Sequence, residues 1–121
     1  MPWELRNDRQ IWQQLAETLT LRIVSGLYPS GVKLPSVRDL AAEAGVNPNT
    51  MQRALSSLEE SNLLCSQRNT GRFVTQDTDL INVTRSALAQ AEYAIFCQKM
   101  HRLGYHTEEI EQFFPKKGET V

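Results

Sequence analysis

Asn49, Gln52, Arg53 and Ser56 recur at i, i+3, i+4 and i+7 in PNTMQRALSSLEE, so a helix through this segment lines two amides, a guanidinium and a hydroxyl along one side. With Thr50 beside them, these groups suit the edges of base pairs. Amides and guanidinium form bidentate hydrogen bonds there, while the N–H groups at a helix N-terminus approach phosphate. Solvated surface is the alternative reading of the same polar face.

Two further groups have the composition to do chemistry. Arg68 and Arg72 flank the short run N-T-G, in which Gly71 lets a backbone approach a phosphate or a groove closely. The competing explanation is ordinary hairpin charge protecting an edge strand. Cys97 and His101 stand at i, i+4, with Cys65 and His106 elsewhere, a potential ligand set for the softer metals. Two such residues arise easily by chance, and Cys97 neighbours Ile95 and Phe96, so buried thiols are the preferred reading. Catalysis has no foothold: the chain lacks a Gly-rich phosphate loop, a nucleophile elbow, an H-E-x-x-H motif and an acid pair in a pocket-forming context. The expectation is a non-enzyme without cofactor.

The elements that position these residues follow from periodicity. Ile11, Leu15, Leu19 and Ile23 form one stripe and predict a helix from about Asp8 to Ser25, and GLYPSGVKLP ends it. Ser36 precedes Asp39 in a capping-box-like arrangement. Val37, Leu40, Ala41 and Ala44 then give a short second helix, closed by Gly45. Asn47 is a good N-cap and Pro48 fits N1, where its missing N–H costs nothing, so the proline starts the third helix. Met51, Ala54, Leu55 and Leu58 are its buried side. LLCSQR and RFVTQ then read as the strands of a hairpin around the Gly-containing loop.

From about Asp79 a helix of about 24 residues, roughly 36 Å long, runs until Gly104. Thr107 is placed to cap a last short helix ending in Phe113 and Phe114. Leu88, Ala91, Ile95, Phe96, Met100, Phe113 and Phe114 offer more apolar surface than one small domain can cover, which predicts a dimerisation region. Folding back on its own domain is the other possibility. The fold class expected is therefore mainly α with a small β-hairpin. Residues 1–76 form a winged helix-turn-helix DNA-binding domain, and residues 77–121 a two-helix C-terminal dimerisation region.

Composition permits this. The net charge is −1, with 8 Lys+Arg against 7 Asp+Glu through residue 76 and 5 against 7 beyond it, so bulk charge decides nothing. The absence of an apolar run long enough for a membrane span, and of a basic-then-apolar leader in MPWELRND, predicts a cytoplasmic protein with no membrane partner.

The run LPSVRDLAAEAGVNPNTMQRALSSLEESNLL followed by RNTGRFV resembles the DNA-binding domain of the GntR family of bacterial transcription regulators, over about residues 9–76. The VNPNT segment with the short tail AIFCQKMHRLGYHTEEIEQFF is similar to its YtrA subfamily. The resemblance implies that Arg38, Pro48, Asn49, Thr50, Gln52, Arg53, Arg68, Gly71 and Arg72 contact operator DNA, with Ser36 reaching a phosphate. The commoner wing R-G-x-G of the family has a glycine where Asn69 stands here, and Asn is the non-glycine residue that best tolerates positive φ. The implied function is a repressor that binds a pseudo-palindromic operator as a homodimer. A small-molecule effector would then sit at a dimer seam, since about 45 residues after the wing are few for an enclosed pocket. The alternatives are a winged-helix module for protein contacts and a metal-responsive regulator using Cys97 and His101.

Overall fold

The computed structural model describes residues 1–113; Phe114 therefore lies outside the described residues. In chain order the elements are α1 (Ile11–Val24), α2 (Val37–Ala44), α3 (Pro48–Glu60), β1 (Leu64–Gln67), β2 (Gly71–Val74), α4 (Thr78–Arg102) and α5 (Thr107–Glu111). The chain divides into two compact units, Met1–Arg85 and Ser86–Val121, and the division falls within α4.

In the first unit, α1 and α2 both pack on α3. Leu15, Leu19 and Ile23 of α1, Leu40 and Ala41 of α2, and Met51, Ala54, Leu55 and Leu58 of α3 are all buried. These are the stripes that the apolar spacing predicts. Burying each leucine contributes roughly 1.5–3 kcal/mol.

The helix ends are set by local chemistry. The Ser36 hydroxyl accepts from the Asp39 N–H at 3.1 Å, and Gly45 closes α2 at φ 73°. The Asn47 side chain accepts from the Asn49 N–H at 2.7 Å, with Pro48 at the first position of α3. Asn62, at φ 67°, ends α3 in the left-handed region, and the Leu63 N–H returns to the Leu58 carbonyl.

Antiparallel β1 and β2 pair Leu64 with Val74 and Gln67 with Gly71. The loop before α2 does more than turn: Lys33 bridges to Phe73, the Leu34 N–H donates to the Arg72 carbonyl, and the Val74 N–H donates to the Val32 carbonyl. Residues 31–34 thus cover one edge of the hairpin. Asp77 accepts from the Leu80 N–H at 3.0 Å and starts α4 a residue before Asp79.

In the second unit, α4 ends where Gly104 takes φ 99° and the Tyr105 N–H returns to the Met100 carbonyl. One sequence expectation changes here. Thr107 does not cap α5 but is its first residue; His106 holds the cap position, and its N–H donates to the Glu109 carboxylate at 3.0 Å. Ile110 is buried, and Tyr105 meets Phe113 edge-on at 5.4 Å. Among the described residues no helix is long and apolar enough to cross a membrane.

Candidate nucleic-acid interface

Pro48 and Asn47 fix where α3 begins, and that decides which side chains face outward. Pro48, Asn49, Gln52 and Arg53 are exposed and Thr50 is half-exposed, opposite the buried stripe of the helix. The Gln52 amide reaches the Ser56 hydroxyl at 3.4 Å, so even the polar contacts within the helix lie on its outer side. Arg38 is exposed on α2, while Leu40 and Ala41 of the same helix are buried.

The hairpin turn depends on two residues with positive φ. Asn69 takes φ 65°, the conformation expected where the commoner family wing has glycine, and the Thr70 N–H closes the turn on the Gln67 carbonyl at 3.1 Å. Gly71 takes φ 113°, and a Cβ built there would come within 3.1 Å of the Lys33 side chain. Arg68 is exposed in this turn, whereas Arg72 is half-buried with its Nε on the Glu59 carboxylate at the end of α3. The wing is thereby tied to α3 by a side-chain pair as well as by the chain.

An open cleft of about 550 Å³ lies between the start of α2 and the wing, lined by Lys33, Ser36, Asp39, Thr70, Gly71 and Arg72. It brings together Ser36, Gly71 and Arg72, which lie far apart in sequence. Lys33 was not singled out by spacing because a lone lysine in a Gly/Pro-rich loop has no periodic signal. Its β-bridge to Phe73 is what delivers it to the wing.

The distribution of ion pairs explains how a nearly neutral chain presents cations. Arg6 pairs with Asp8, Arg9 with Glu17, Arg22 with Glu43 and Arg72 with Glu59. Among the described residues, Lys33, Arg38, Arg53 and Arg68 have no carboxylate at ion-pair distance, nor do Arg85, Lys99 and Arg102 on α4. Positive charge is thus left unneutralised on α2, α3 and the wing as well as on α4.

Behind that surface, Arg22 is a buried structural cation. It donates to the Tyr28 hydroxyl and the Met1 carbonyl, both at 2.7 Å, pairs with Glu43 at 2.9 Å, and lies 4.3 Å from the Trp3 ring centroid. Burial opposes its charge, but the hydrogen bonds it donates to Tyr28 and Glu43 outweigh it, so its pKa is raised above the ordinary value. The cluster joins the amino-terminal arm to α1 and α2.

The proposed dimerisation residues are accessible in the second unit. Ala91, Ile95, Phe96 and Phe113 are exposed, and Leu88 and Met100 are half-buried. The metal alternative finds little: Cys97 is half-buried, the His101 ring lies 3.5 Å from the Thr107 hydroxyl, and no three His, Cys, Asp or Glu side chains converge among the described residues.

A three-helix unit with an exposed, capped third helix and a hairpin wing defines the class: a winged helix-turn-helix DNA-binding protein. Comparison with known proteins gives the family. The profile of bacterial regulatory proteins of the gntR family matches residues 11–74. The HTH-type transcriptional regulator YhcF of Bacillus subtilis is 30% identical over 107 residues, covering 88% of both chains. The HTH-type transcriptional repressor YtrA of Bacillus subtilis is 31% identical over 72 residues, 60% of this chain and 55% of its own. A GntR family transcriptional regulator from Listeria monocytogenes superimposes with a TM-score of 0.84 at 34% identity, over 90% of this chain and 96% of that one. The chain belongs to the GntR family, in its YtrA subfamily, and is a DNA-binding transcription regulator, not an enzyme.

Proposed function

We propose that the chain acts as a homodimeric repressor that occupies a pseudo-palindromic operator. In each half-site α3 enters the major groove, with Asn49, Thr50, Gln52 and Arg53 reading bases. Pro48 sets the docking end of that helix, and Ser36 and Arg38 hold the backbone from α2. The wing follows the adjacent groove through Arg68 and Gly71, while Arg72, held on Glu59, sets the wing's position against α3. The observation that carries this reading is the outer side of α3. Its amides and its guanidinium are exposed together beside a capped helix start, and the arginine is not neutralised by a carboxylate.

Dimerisation rests on the tail. Ile81 is the buried residue of α4, and past Ser86 Ile95 of that helix is 45% exposed and Leu103, just after its end, 73% exposed, apolar surface that a second copy would cover. One recognition helix reads only a few base pairs, so two copies joined in this way supply specificity and avidity. The direction of regulation leans on the likeness to YtrA, which is itself a repressor by name. An inducer, a small molecule at the dimer seam, would relieve it.

Titration of purified protein on its operator, at fixed salt, tests the reading. Arg53→Ala and Arg38→Ala are each expected to lose about 1–3 kcal/mol of binding with unchanged melting. Undiminished binding by both variants would remove α2 and α3 from the interface.

A further inference from the structure

Of the cations that the acidic residues leave unpaired, Arg53 has a partner of another kind. Its guanidinium carbon lies 4.4 Å from the centroid of the Trp12 ring, in the first turn of α1. That ring is fixed in its turn, because its indole N–H donates to the Gln10 side chain at 2.6 Å. Trp12 is half-buried and Arg53 exposed, so the stack sits at the margin of the outer side of α3, not in the core.

The choice of partner matters for the chemistry. A carboxylate would occupy the N–H edge of the guanidinium and cancel its charge, as Glu17 does for Arg9 and Glu59 for Arg72. An aromatic face holds the guanidinium through its π surface and leaves charge and N–H edge available for the O6 and N7 of a guanine. It also narrows the rotamers of a long side chain before binding, which lowers the entropy lost when the arginine docks.

We infer that Trp12 is a positioning residue for Arg53: it orients the guanidinium and so tunes affinity and base preference at the single position of each half-site that Arg53 reads. The inference rests on the proposed role of α3. It adds that base reading by this helix is set partly from α1, a helix that carries none of the family's contact positions named above.

The test uses the full chain with Trp12→Leu, which keeps apolar bulk but removes the π face, Trp12→Phe, which keeps a face, Arg53→Ala, and the Trp12→Leu/Arg53→Ala double variant. Binding is measured on the operator and on a set carrying each single base change. Trp12→Leu is expected to weaken operator binding about two- to fivefold, with the loss and the relaxed preference confined to the base pair at which Arg53→Ala also relaxes it. Trp12→Phe should restore most of the loss, and Trp12→Leu should add nothing in the Arg53→Ala background. A loss of equal size in both backgrounds, or an even loss across all operator variants, would overturn the positioning role and leave Trp12 a packing residue or a DNA contact in its own right. Wild-type protein with no base preference at all would instead remove the role of α3, and this inference with it.

Discussion

At the scale of single residues, the surface is divided by which side chains are neutralised. Arg22 is committed to the fold and Arg72 is anchored to Glu59, while Arg38, Arg53 and Arg68 keep their charge available. The Glu43 carboxylate shows how the structural set differs. Burial alone would raise its pKa, but hydrogen bonds from Arg22 and Trp3 more than reverse that, and it lies below its ordinary 4.5. A depressed carboxylate contributes stability that is present in full above about the unfolded value and is lost as pH falls through the folded one. Wild type is therefore expected to exceed Glu43→Gln in stability at neutral pH, by a modest margin because Glu43 is partly exposed. The margin should shrink below pH 4.5. Denaturant titrations at several pH values check this; a margin that grows on acidification would contradict the assigned hydrogen bonds.

At the scale of elements, helix boundaries bear on the proposed function because they decide which residues of α3 face out. Asn47→Ala removes the bond to the Asn49 N–H and is expected to cost about 1 kcal/mol of stability, read as a lowered denaturation midpoint. Operator affinity should fall with it, since the same turn presents the residues proposed to read bases. The wing makes a second case. Both Arg72→Ala and Glu59→Ala break its tie to α3, so a double-mutant cycle on operator binding should show them coupled, whereas additive losses would mean the wing is held by its backbone alone. Much of this was legible in the sequence. The stripes of α1 and α3, the cap at Ser36, the proline start of α3 and the positive φ of Asn69 all follow from local rules that act within a few residues. What was not legible is tertiary. Residues 31–34 cover the hairpin through hydrogen bonds with no side-chain pattern, Arg72 finds Glu59 across 13 positions, and Trp12 meets Arg53 from another helix. Thr107 has the residue type of a cap, but the helix begins with it, and it is the His106 backbone N–H that Glu109 satisfies.

At the scale of the whole molecule, the proposed function gives reading DNA and pairing with a second copy to different stretches of chain. A substitution in the tail should therefore change assembly without touching the reader. Ile95→Asp is expected to shift the protein from dimer to monomer in sedimentation and to weaken binding to a full operator far more than to a half-site. An intact dimer would move the interface elsewhere. The central claim is that α3 reads sequence, and that it does so in two symmetric copies. Selection of bound sites from random DNA by the full chain tests it most directly. The account predicts an enriched motif with two inverted half-sites, and loss of the preference at one base pair of each half when Arg53→Ala is used. Recovery of no enriched motif, or of one that Arg53→Ala leaves unaltered, would contradict it.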